Sequence, residues 1–369
     1  MLSYNHKFYK PDSMLKKLLK IDWWLLFLVL IICIMGIGAL YSAADGSLNP
    51  WAINHIYKII LGFLLVFILS QFNIHFIMNF SVFLYVFCIL SLIYVIYFGV
   101  GDVKRWINLK YFFFQPSELA KISIILLLAK FFSDYPNNSK NFLYNMFAIF
   151  LVLTPGFLVI NQPDLGTGSM LIFLGFAIIF LNGLSWNIIF SILLVSLISL
   201  PVIWQNLLEY QKYRILVFLN PELDTLGKGY QIMQSKIAIG SGGIFGKGFL
   251  TGSQSRLDFL PEKHTDFVFT LISEEMGFVG SMLVLILYFV INIMLIREFL
   301  KEENITNKIL IFGVSFLIFL YVFFNIGMVT GLIPVVGAPL PFISNGGTSL
   351  ITVFIGLGII QSIRVSRNV

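Results

Sequence analysis

Ten apolar stretches, most of them near the length needed to cross a hydrocarbon core, run along the chain with polar breaks between them. They cover about residues 22–41, 55–71, 74–98, 116–132, 141–161, 168–181, 187–204, 267–297, 307–331 and 344–364. A bilayer core of about 30 Å needs roughly 20 residues of helix. Backbone in lipid must satisfy its hydrogen bonds within its own segment, so each stretch is predicted to be α-helical. The pattern predicts an all-α polytopic membrane protein with about ten transmembrane helices, the sixth short and the eighth long, in a single membrane-embedded domain over residues 1–369. One break stands apart. Residues 205–266 form a connector of about sixty residues between the seventh and eighth stretches, too long for a simple turn. Its own apolar patches, 215–219 and 237–239, predict that part of it lies on or re-enters the membrane.

Composition agrees with the pattern. The chain is 58% hydrophobic and 11% charged, with a mean hydropathy of +0.92; soluble domains carry roughly 25% charged residues. A water-soluble fold of this length could not hide so much apolar surface. Cys33 and Cys88 both lie inside apolar runs and read as small core residues, not as a disulfide framework.

Charge sets the orientation. The net charge of +6 does not imply nucleic-acid binding, because five lysines (Lys7, Lys10, Lys16, Lys17 and Lys20) precede the first apolar stretch. With Arg364 and Arg367 near the other end, the expectation is that both termini are cytoplasmic, residues 1–21 being a cytoplasmic basic tail. Ser42-Ala43-Ala44 resembles a cleavage site, but the 18 residues of 23–40 exceed the roughly 7–15 of a signal core, so a retained first span is expected. Connectors 99–115, 162–167, 205–266 and 332–343 then face outward. They hold most of the Gly, Pro and polar clusters, which puts any chemistry at the external membrane boundary.

Candidate chemistry follows those connectors. Pro116 can begin a helix, with Glu118 in its first turn and Lys121 one turn on along the same face. This is either a capped helix start with a local ion pair or a charged pair facing a cavity, as charges near lipid depth usually do. In the second case Arg105 and Lys121 would bind an anionic head group. Trp106 is an interfacial anchor or a substrate contact. Asp164 is an Asx-type cap for the sixth span, a wall of the site, or both.

Residues 240–248 invite a phosphate-loop reading, which fails because Ser241 stands where Gly is required and Gly248 where Ser or Thr is; a close-packed backbone element is expected instead. Asp266 stands where the long connector meets the eighth span. It serves as that helix's N-cap or, partly desolvated, as a general base. One of Glu274 and Glu275 could face the same cavity. Residues 331–349 break an apolar region with irregular backbone, tolerated only against protein or a water-filled cavity, and so read as a site wall. The four histidines have no ligand spacing, so no protein-built metal site is expected. No nucleophile elbow surrounds Ser253 or Ser255, which argues against a Ser/His/Asp hydrolase.

Taken together, the strings at 104–106, 115–121, 164–167, 229–243, 260–269 and 334–349 resemble the RodA/FtsW family of shape, elongation, division and sporulation proteins. Lys263 before His264 and the 334–341 string are similar to its elongation branch. Asn345 departs from the Tyr that commonly precedes the Gly pair there. The resemblance implies a peptidoglycan glycosyltransferase that polymerises lipid II in a bacterial cytoplasmic (inner) membrane, serving elongation and rod shape. It implies a class B penicillin-binding protein and the elongation machinery as partners, membrane lipid as surroundings, and no nucleic acid. Asp266 maps onto the family's catalytic aspartate. Arg105, Trp106, Glu118, Lys121, Asp164, Lys263, His264, Ser344, Gly346 and Gly347 are the expected substrate-binding residues. The resemblance fixes no cofactor; a divalent cation, Mg or Mn, bound with the substrate diphosphate is compatible with it. A lipid II flippase is the alternative function; a scaffold that only recruits the partner would leave Asp266 and the charged pair without a task.

Overall fold

The structure, a computed structural model, describes residues 14–100, 104–110, 113–134, 141–183, 186–207, 209–224, 227–253 and 262–367. Each of the ten apolar stretches contains a helix, and the described fold is almost entirely helical. A short α1 (Met14–Leu19) precedes α2 (Trp23–Ala43) and α3 (Trp51–Gln71). The third predicted span is broken at Phe80 into α4 (Ile74–Asn79) and α5 (Ser81–Phe98). Two short strands, β1 (Ile107–Asn108) and β2 (Phe113–Phe114), pair antiparallel before α6 (Pro116–Asp134). Then come α7 (Phe142–Ile160), α8 (Leu165–Leu181) and α9 (Trp186–Asn206). The long connector holds α10 (Glu209–Leu219) and α11 (Lys228–Ser241), which take in its two apolar patches. The chain ends with α12 (Val268–Lys301), α13 (Ile305–Val329) and α14 (Gly347–Arg367). Among the described residues, seven helices are long and apolar enough to cross a membrane, and α8 is a shorter apolar helix.

Local chemistry starts these helices where the polar breaks fall. Asp22, Asn141, Asp164 and Asn304 each accept a backbone N–H in the first turn that follows, at 2.8–3.2 Å. The corresponding carboxamide or carboxylate satisfies a donor that the helix itself cannot.

One end of the bundle is tied by charge. Arg364 pairs with Asp22, Arg367 Nη2 lies 2.7 Å from Glu298 Oε2, and Gln361 Oε1 accepts the Asp22 N–H at 2.9 Å. The start of the first span, the end of α12 and the end of α14 therefore meet at one face. This requires an even number of crossings between Asp22 and Arg364. The opposite ends of α12 and α14 carry Val268 and Gly347. At 1.5 Å per residue, the 21 residues of α14 separate the two faces by roughly 30 Å, a bilayer core.

Residues 242–248 are a close-packed backbone element, as the glycine pattern predicts. They dock on a break in α12 at Gly277, whose φ of 64° and ψ of −158° are open to glycine alone. The N–H groups of Gly246, Lys247 and Gly248 donate to the carbonyls of Gly242, Glu274 and Glu275, and Phe278 and Val279 donate to Gly243 and Ile244. Those amides are spent on carbonyls and cannot cradle a phosphate. Gly246 has φ +80°, and a Cβ there would stand 2.0 Å from Glu275 O. Gly246→Ala is expected to cost at least about 1–3 kcal/mol, read as a lower melting temperature in detergent. Gly240→Ala, whose added Cβ meets nothing within 4 Å, is the matched control and should melt like the parent.

Candidate active site

The end of the bundle remote from the ion pairs contains a cavity of about 400 Å³. Four separate segments wall it: Arg105 and Trp106 before β1, Asp164 at the start of α8, residues 262–267 before α12, and the 335–349 segment running into α14. Gln115 and Gln231 complete the polar lining. Six of the residues singled out from sequence thus meet here: Arg105, Trp106, Asp164, Asp266, Gly346 and Gly347.

Each wall has a local reason for its position. Arg105 Nη2 donates to Pro163 O at 2.7 Å, and its Nε lies 3.5 Å from Asp164 Oδ2. Asp164 is buried and caps α8 through Thr167 N at 3.2 Å, so it is cap and wall at once. Asp266 is half-buried. The N-cap position of α12 is the next residue, Phe267, which makes no side-chain cap bond. The Asp266 backbone is fixed from α13, where the fully buried Asn325 donates to both Asp266 O, at 2.9 Å, and Ala338 O, at 2.7 Å. One side chain thereby ties the Asp266 segment to the opposite wall. Tyr288, from α12, adds a hydroxyl donor to Pro341 O.

Five predicted contacts do not line the cavity. Glu118 and Lys121 are paired, as their spacing predicts, with Lys121 Nζ 2.8 Å from Glu118 Oε1. However, both are buried against α13, where Lys121 also donates to Tyr321 Oη at 2.9 Å and the Tyr321 hydroxyl donates to Glu118. The pair is turned into the bundle because Tyr321 supplies the third polar group that lets it be buried there. Lys263 is buried as well. His264 stacks on Trp51 at 4.3 Å between ring centroids, with 8° between planes. Burial pushes the His264 imidazole below its usual pKa; Glu262 opposes the shift and Lys263 adds to it. Ser344 is spent inside the wall, donating to Thr265 O at 2.5 Å and accepting from Leu340 N at 2.8 Å. Glu274 and Glu275 do not line the cavity either. Glu274 takes Lys247 Nζ at 2.7 Å, which secures the connector to α12, and Glu275 takes the Ser42 hydroxyl, which ties α2 to α12.

Other residues shape the site without having been singled out from sequence. Trp51, His55 and Lys58 lie at i, i+4 and i+7 on α3, and each reaches a segment of the wall. Trp51 packs on His264, His55 Nε2 lies 3.0 Å from Phe342 O, and Lys58 Nζ donates to Asn345 Oδ1 at 2.8 Å. That spacing within an otherwise apolar helix was the available signal, as was Asn325 within the apolar second half of α13.

Comparison with known proteins was made against this geometry. The FtsW/RodA/SpoVE family model, described as a cell cycle protein, matches residues 16–369. The peptidoglycan glycosyltransferase MrdB of Escherichia coli K12 is 37% identical over 353 residues, covering 94% of each chain. Among solved structures, a chain from a peptidoglycan synthase complex that coordinates polymerization and crosslinking superposes with a TM-score of 0.81 at 30% identity, over 94% of this chain and 98% of that one. The rod shape determining protein RodA of Thermus thermophilus gives a TM-score of 0.71 at 28% identity, over 94% and 97%. With a family model and full-length relatives matched from end to end of the bundle, the chain belongs to the FtsW/RodA/SpoVE family.

Proposed function

We infer that the chain is a peptidoglycan glycosyltransferase that extends glycan strands from lipid II during cell elongation. The observation that carries this is the convergence of Asp266 and Arg105 on one cavity at a membrane boundary. Support comes from relatives bearing the glycosyltransferase name along their whole length.

In the reaction, the 4-hydroxyl of the acceptor N-acetylglucosamine attacks C1 of the lipid-linked N-acetylmuramic acid. The C1–O bond to the diphosphate breaks as the new glycosidic bond forms. Asp266 takes the proton from the attacking hydroxyl, which is general-base work. The lipid diphosphate leaves with the bonding electrons and needs positive charge more than a proton; Arg105 supplies it from the facing wall. Among the described residues no three His, Cys, Asp or Glu side chains stand together as a metal site. A divalent ion bound mainly by the diphosphate oxygens is compatible with this chemistry.

A class B penicillin-binding protein is the proposed partner, in keeping with the structural neighbour taken from a complex that couples polymerization to crosslinking. The purified chain, with that partner, should convert labelled lipid II into strands resolved on a gel. Absence of strands with and without the partner would overturn the assignment.

The basic tails support a cytoplasmic ion-paired face and an external cavity. A Lys228→Cys variant lacking Cys33 and Cys88 should react with an impermeant maleimide in intact spheroplasts. Labelling only after permeabilisation would invert the topology.

A further inference from the structure

We propose that Lys58 is a second cation of the site, which takes the substrate diphosphate in exchange for Asn345. The inference rests on the glycosyl-transfer reading above. Lys58 is the one charged residue in α3, within a span of mean hydropathy 2.1. A charge at such a depth faces a cavity or a partner. Its hydrogen-bond partner is a neutral carboxamide, Asn345 Oδ1 at 2.8 Å, and none of the ion pairs among the described residues includes it. Two other cations differ: Arg105 lies beside Asp164, and Lys121 is neutralised by Glu118.

Access completes the argument. Asn345 and Gly347 both line the cavity, and Lys58 stands directly behind them. A Cβ built on Gly347 would have the Lys58 amine, 4.0 Å away, as its nearest neighbour. Glycine there leaves no side chain between the ammonium and the void. Thr348 Oγ1, in the same wall, is buried and has no hydrogen-bond partner among the described residues. An anion entering from the cavity would gain a charge-assisted bond from Lys58 in place of the neutral one that Asn345 provides, and such bonds are roughly twice as strong.

The alternative role is a brace, with Lys58 only holding the Asn345 loop. Two substitutions separate the two. Lys58→Met should raise the KM for lipid II about tenfold or more, with kcat changed less, and Lys58→Arg should recover most of it. Asn345→Asp strengthens a brace but sets a carboxylate on the ammonium, so it should raise KM in the same direction as Lys58→Met. Unchanged or tighter lipid II binding by Asn345→Asp would overturn the proposal. A binding arm reads the site without turnover: inorganic diphosphate should raise the melting temperature of the purified parent and not that of Lys58→Met. Equal stabilisation of both refutes the anion site. Stabilisation by phosphatidylglycerol in place of diphosphate refutes the substrate assignment. If the parent makes no strands, the glycosyltransferase reading falls, while the diphosphate arm still decides Lys58.

Discussion

Asp266→Asn is expected to insert and fold like the parent, bind its partner, and polymerise lipid II on the order of 10²–10⁴-fold more slowly. Asparagine has nearly the size of aspartate but cannot accept the acceptor's proton. Loss of an N-cap would cost only about 1 kcal/mol, and the N-cap position of α12 is Phe267. The Asp266 backbone carbonyl is gripped by Asn325, a bond that does not depend on the side chain. The assay should supply lipid II directly on the external side of liposomes, so that no defect in lipid movement can imitate the result. Near-parental synthesis by the Asn variant would strip Asp266 of the base role. Failure of the parent with its partner, together with movement of lipid II between leaflets, would favour a flippase.

Lys121→Ala carries the largest expected effect on stability. It would leave Glu118, about 3% exposed, without its cation and with the Tyr321 hydroxyl as a hydrogen-bond partner. Breaking a buried pair from one side costs about 3–5 kcal/mol, enough to empty the folded state of many membrane proteins. Exposed counterparts such as Lys212–Glu209 should cost almost nothing when broken. The Glu118→Gln, Lys121→Met double variant removes both charges and should regain most of the melting temperature. The damage from Lys121→Ala should extend toward the cavity, because Tyr321 lies one turn from Asn325 on α13. A double variant that melts normally yet makes no strands would return the pair to substrate binding.

The helices were legible because hydrophobic length is a local property of the sequence. So were Asp164 as both cap and wall, and the glycines of 242–248 as a packing element, since each follows from residue type and near neighbours. What local chemistry could not give was facing. Glu118 and Lys121 were rightly paired, but their turn away from the cavity depends on Tyr321, two hundred residues further on. His264 sits in a polar string beside Asp266 and reads as a contact until Trp51 is seen stacked on it. Conversely, Lys58 looks like a stray charge in an apolar run until residue 345 is placed beside it. The break of the third span at Phe80 and the kink at Gly277 were hidden because hydrophobic length alone reads each stretch as one span.

The polar stripe on α3 also has a history in time. His55 and Lys58 find their partners at Phe342 and Asn345, 287 residues later in the chain. At roughly 5–20 residues per second, synthesis takes on the order of 15–60 s to cover that interval. Throughout it, α3 has emerged from the ribosome while α14, the helix it packs against most extensively, does not yet exist. A nascent chain stopped before residue 342 therefore carries an ammonium and an imidazole with no native acceptors. This makes such intermediates the natural clients of insertion factors and of membrane proteases, and it makes completion of the last helix the event that commits the chain to its final form.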